Sequence, residues 1–175
     1  NWEFLNTIAV GQFYNIALDD STPYRISGGL QDNGSWVWPS SNPVREAEED
    51  KACRTPATGI TNAQVDFILW GDGFHTDFDP EDANVVYAEW QGGNLSRINL
   101  ESGDRRWLKP EAREGQPEYR FNWNAPFFVS KHKPHAIYLG GNVVFKLTNK
   151  GDNWEAISPD LTTADGGKMN TAGSN

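Results

Sequence analysis

One stretch of this chain recurs within it, and that recurrence limits the possible folds more than any other feature. Slid back by sixty positions, Gly71–Asn99 falls without a gap on Gly11–Pro39. Gly71 lands on Gly11, Phe74 on Tyr14, Phe78 on Leu18, Asp79 on Asp19, Val86 on Ile26 and Gln91 on Gln31. Slid forward by fifty-one, the same stretch meets 122–150, where Val86 and Tyr87 fall on Ile137 and Tyr138. The chain thus holds three diverged copies of one unit, each fifty to sixty residues long. A period of that size signals a solenoid, a propeller or an array, in which each unit leaves an apolar face for its neighbour to cover.

Within each copy, short apolar runs alternate with turn chemistry. In the first, the runs 14–18, 24–27, 35–38 and 65–70 are separated by Asp19–Pro23, by Gly28–Gly34 and by a long polar stretch. Four short strands per unit joined by tight turns describe a β-propeller blade. The composition agrees: aromatic residues make up 13% of the chain, and 17 Gly and 10 Pro suit turns better than long helices. The expectation is therefore an all-β chain, a β-propeller fragment of about three four-stranded blades. They are placed at 11–70 with a surface insertion over 39–60, at 71–118, and at 119–160. Residues 1–10 read as the end of a preceding blade and 161–175 as a loop or disordered tail. Three blades cannot close a ring, because propellers need roughly four to eight. The remaining blades of the same protein, or partner chains, are then the expected partners.

The net charge of −9, with no run of Lys and Arg longer than two, argues against nucleic acid as a partner. No stretch reaches about 18 apolar residues, so no membrane span is expected. Cys53 is the single cysteine, which excludes an internal disulfide, and it reads as an exposed spare thiol in a polar stretch. No motif calls for a cofactor. His132 and His135 flank a turn proline without a third ligand nearby, and no metal site is assigned. The oxygen-rich Asp77, Asp79, Glu81 and Asp82 lack the spacing of a calcium loop and read as a strand turn.

Leu147–Trp154 resembles the Asp-box of BNR-repeat propellers, written S-x-D-x-G-x-T-W. Gly151 and Trp154 match, and Asn149 stands at the Asp position. The longer phrases Val10–Trp36, Phe78–Gly103, Tyr119–Pro126 and Gly151–Thr162 resemble bacterial sortilin-like, BNR-repeat propeller proteins, over roughly residues 7–162. That resemblance implies a secreted or periplasmic location. It also implies a structural hairpin at Asn149, Gly151 and Trp154, where the Asp position caps turn amides and the Trp plugs the gap to an adjacent blade. Members are often labelled glycosyl hydrolases, a label that follows the fold, and a fold does not establish chemistry.

Sugar hydrolysis needs two carboxylates across the scissile bond. The best-placed catalytic candidates are Asp32 and Asp72, in glycine-rich turns at blade rims, and Glu89, near the end of a strand. Turn-amide bonding is the alternative for the two aspartates, and a solvated strand end the alternative for Glu89. Arg25, Arg97 and Arg120 fall one to a blade, so no sialidase-type arginine cluster is visible. For ligand binding the candidates are Gln31, Asp32, Trp90, Gln91 and Asn94, with a second aromatic–amide run at Asn122–Asn124. Trp90 is a stacking plate for a sugar ring in one reading and a blade-packing residue in the other. The sequence favours a non-catalytic extracytoplasmic binding or scaffold module for peptide or glycan, with a glycoside hydrolase acting on polysaccharide as the alternative.

Overall fold

A computed structural model describes residues 11–41, 60 and 64–166. It is all-β, with twelve strands: β1 (Phe13–Leu18), β2 (Arg25–Leu30), β3 (Gly34–Pro39), β4 (Asp66–Leu69), β5 (Gly73–Phe78), β6 (Val85–Trp90), β7 (Asn94–Asn99), β8 (Arg105–Trp107), β9 (Phe127–Val129), β10 (Ile137–Gly140), β11 (Val144–Thr148) and β12 (Asn153–Ala156). They form three four-stranded antiparallel sheets in chain order, β1–β4, β5–β8 and β9–β12, each a simple meander. This is the propeller-like fragment that the repeat predicts, and the sheets are called blades 1, 2 and 3 below. The expectations for residues 1–10, for Cys53 and for most of the 39–60 insertion lie outside the described residues, as does that for 167–175.

The blades pack face to face, and the hydrophobic pattern explains the order. Every residue of β6 from Val85 to Glu89 is buried. Alternate side chains of a strand point to opposite faces, so this strand has to be covered twice. Val86 and Ala88 join Val37, Ile68 and Leu69 of blade 1, with Phe78 and Ile98, in one core. Val85 and Tyr87 join Ile137, Leu139, Phe145 and Leu147 of blade 3 in the other, with Phe121 and Ala125 from the connecting segment. Blade 2 is the sandwiched unit.

Glycine sets how closely blades 1 and 2 meet. Gly28 and Gly29 read as turn residues in the sequence, yet both lie inside β2, paired with Ile16 and Asn15 of β1. The reason is contact: a Cβ on Gly29 would sit 2.2 Å from the backbone carbon of Gly73, and one on Gly73 would sit 2.4 Å from Gly34 O. These glycines mark a backbone-to-backbone approach between blades.

One polar device recurs at the opposite ends of the strands. Asp19 follows β1 and accepts the N–H groups of Ser21 and Arg25 on Oδ1. Its repeat equivalent Asp79 accepts those of Glu81 and Asp82. Ser130, fifty-one residues further on, accepts the N–H of His132 through its hydroxyl. Asp79 also receives the Tyr87 hydroxyl at 2.7 Å. Its carboxylate is thereby committed to the turn.

The seam makes a prediction. Gly29→Ala should cost at least about 3 kcal/mol, because a backbone has to move. Gly28→Ala, whose Cβ would meet the ring of the partly exposed Phe13 at 2.7 Å, should cost distinctly less. Urea unfolding of the two variants checks the order; equal losses would argue against a rigid seam.

Candidate functional site

In blades 1 and 2, the second-to-third strand hairpin and the connection to the next blade emerge at the same end. That end gathers Gln31–Asn33, Gly71–Gly73, Gln91–Gly93 and Trp123, and a hydrogen-bonded chain links them. Asp32 N–H donates to Asp72 Oδ1 at 2.8 Å, and Asp72 N–H donates to Gln91 Oε1 at 2.8 Å. Gly92 N–H then donates to Trp123 O at 2.9 Å. Asp32 holds φ +59, the left-handed position that Gly92 occupies in the next repeat at φ +79. Three of the sequence-predicted residues, Asp32, Asp72 and Gln91, are therefore brought together across the blade 1–blade 2 boundary.

A side-chain hydrogen-bond interaction with Asp72, and then the like charge of Asp72, raise the Asp32 pKa above its ordinary value. Gln31 is exposed, and its carbonyl accepts Asn33 Nδ2 at 3.0 Å. The matching bond in blade 2 runs from Asn94 Nδ2 to Gln91 O at 2.7 Å. Gln91 thus secures the strand leading into its own blade. Sequence reasoning missed the corresponding residue of blade 3, Asn142, whose Oδ1 accepts Arg120 N–H at 3.0 Å. The fifty-one-residue offset places Asn142 opposite Gln91 and supplies the signal.

Trp90 is half-buried, packed on the blade 1–blade 2 core with its Nε1 buried and without a partner among the described residues. Its ring lies 6.3 Å from that of Trp107, and a Cβ on Gly71 would strike it. Trp123 sits at the rim with 47% of its surface exposed.

Glu89 departs most from expectation. It is not a solvated strand end: none of its surface is exposed. It projects from β6 into the blade 2–blade 3 seam, where the N–H groups of Gly93 (3.2 Å), Ala125 (3.4 Å) and His75 approach its carboxyl. Oε2 has no partner among the described residues. Burial pushes its pKa up to about 8, against the opposing pull of those amides. His75 of blade 2 meanwhile links blade 1 to the segment leading into blade 3, its Nδ1 2.9 Å from Asn15 Nδ2 and its ring also bonded to Asn124. Burial lowers its pKa, which favours the neutral ring.

The Asp-box-like hairpin joins β11 to β12. Asn149, Lys150 and Gly151 all take positive φ. Asn149 does not cap turn amides with its side chain as the Asp-box would; its Nδ2 reaches Asp152 Oδ2 at 3.5 Å instead. An amide at this position places a donor beside Asp152, and two ion pairs then lock the hairpin. Arg97 Nη1 bonds Lys150 O at 2.7 Å and Asp152 at 3.0 Å, and Arg106 meets Asp152 at 3.2 Å. Gly151 leaves room for Leu108, and Trp154 packs edge-on to Phe145 and Tyr119. The hairpin fastens blade 3 to blade 2.

No family model matches the chain, and a search of curated proteins found no match.

A pH prediction follows from Glu89. Its folded pKa lies above its ordinary 4.5, so the folded state holds a proton that the unfolded chain has released. Stability from this group is complete below about pH 4.5 and is lost as the pH rises towards about 8. The urea midpoint should fall across that window, and Glu89→Gln should flatten the fall while leaving the acid side unchanged. A variant that keeps the full slope would assign the pH dependence to another group.

Proposed function

We propose that this chain is part of a larger sortilin-like, BNR-repeat propeller and serves as a non-catalytic extracytoplasmic module that binds peptide or glycan at the rim. The observation that carries this reading is the direct bond between Asp32 and Asp72. Glycosidase carboxyls stand about 5–9.5 Å apart, so that a glycosidic bond and a nucleophile fit between them. Here Asp72 Oδ1 is occupied by the backbone N–H of Asp32, and the Asp72 side chain also acts directly on the Asp32 carboxyl. Glu89 is sealed inside a seam and does not face the rim. What these groups offer instead is a fixed row of acceptors beside an exposed indole. Such a pairing suits a sugar, whose C–H face stacks on a ring while its hydroxyls bond side-chain oxygens and amides.

Within that reading the stacking plate is Trp123, and Trp90 belongs to the packing. Trp123→Ala should weaken ligand binding about tenfold, near 1.4 kcal/mol, with an unchanged melting temperature. Trp90→Ala should cost about 3 kcal/mol of stability. Glycan- and peptide-array binding by the purified chain, followed by titration of the best hit against both variants, checks this. Hydrolysis of a polysaccharide, lost in Asp72→Asn, would instead establish the glycoside hydrolase reading.

A further inference from the structure

The outermost strand of blade 3 carries a docking feature remote from the rim. All four residues of β12 are exposed. Ile157 N–H donates to Val144 O at 2.9 Å, and the register pairs Glu155 with Lys146 and Asn153 with Thr148. Backbone groups along a strand point alternately to the two sides, so Asn153, Glu155 and Ile157 bond inwards to β11. The N–H and C=O of Trp154 and Ala156 therefore point outwards, and neither residue's N–H or C=O has a partner on that side among the described residues. Beside this edge lies a groove of about 1040 Å³, walled on its far side by the 113–120 segment, with Tyr119 and Trp154 lining it. The edge of β8 offers no comparable site, because it is three residues long and two of them are arginine.

The charge of the groove selects its occupant. Asp160 is held by Arg120 at 2.7 Å, and Asp152 by Arg97 and Arg106. Glu114, Glu118 and Glu155 then remain in the lining against Arg113 as its one remaining cation, with Lys146 of β11 opposite Glu155. We propose that the β12 edge takes an extended basic peptide as a fifth strand, bonded to the backbone of Trp154 and Ala156 and paired in charge with Glu114, Glu118 and Glu155. Addition of a strand to a sheet edge takes affinity from main-chain bonds and specificity from alternate side chains. Because blades stack by their faces, the stacking of further blades does not itself cover this outer edge.

The test uses a capped, fluorescein-labelled octapeptide of alternating Lys and Thr, titrated by anisotropy into the chain at low and moderate salt. Binding should weaken as salt rises, and an alternating Glu–Thr peptide should not bind. Ala156→Pro removes an outward N–H that no strand in the blade uses, and should weaken binding at least about tenfold while the melting temperature holds. Should that variant fail to fold, amide exchange in the unaltered chain decides. Peptide should slow exchange at Trp154 and Ala156 and leave Asn153 and Glu155, already bonded to β11, unchanged. Glu118→Lys should weaken the basic peptide and admit the acidic one. Equal binding of both peptides, no binding of either, or protection elsewhere would overturn the proposal. So would self-association of the chain that Ala156→Pro abolishes, which would make a second copy the occupant. Rim variants such as Trp123→Ala should leave this titration unaltered.

Discussion

The structure rests on a single requirement, that a sheet apolar on both faces be covered on both. Blade 2 meets it through β6, whose Val86 and Ala88 enter one core while Val85 and Tyr87 enter the other. Each burial is worth something only if the neighbouring blade is at the right distance. At the blade 1 seam that distance is set by the missing side chains of Gly29 and Gly73. At the blade 3 seam the position equivalent to Gly29 is Glu89, whose carboxyl is held there by backbone amides. One phase of the repeat thus carries a glycine at a seam where backbones meet and a buried, amide-held acid at the next.

Most of the polar side chains that invite a functional reading are consumed by that architecture. Asp19, Asp79 and Ser130 stand at one phase of the repeat and satisfy turn N–H groups that would otherwise be orphaned. Gln91 and Asn142 stand at another and hold the chain as it enters a blade. Asp152 neutralises Arg97 and Arg106 between blades. A residue that recurs at one phase and bonds backbone at each recurrence is explained by the fold. Asp32 and Asp72 differ, since they come from different phases and meet only because two blades adjoin.

That distinction governs what the sequence could reveal. The sixty- and fifty-one-residue offsets compare neighbours in sequence, so they expose strands, turns and turn-capping residues, all of which are local. Glycines 28 and 29 misled because the same residue serves a turn and a close approach, and only the partner blade tells the two apart. Glu89 was readable in principle: Val85–Ala88 is apolar on both alternations, and a strand buried on both faces buries the acid it contains. The Asp32–Asp72 bond, the His75 bridge and the open backbone of β12 depend on contacts between distant segments. No periodicity carries them.

Equivalence by repeat also separates two kinds of exposed apolar residue. Leu18 is 52% exposed, while its equivalent Phe78 is 5% exposed. Ile26 and Trp38 of blade 1 are only half-buried where their equivalents in blade 2, Val86 and Ile98, are buried. These positions pack against a blade wherever one is present, so their exposure on blade 1 marks a blade-packing face and carries no message about ligands. Trp70 belongs with them, since its ring rests on Phe67 at 4.5 Å and its equivalent, Phe121, is buried. Trp123 does not. Its equivalent is the rim residue Asp72, and its own carbonyl is tied to the rim by Gly92. Further blades stacked on the open faces would bury Leu18 and leave Trp123 where it is. The proposed binding role rests on an indole that blade stacking does not cover.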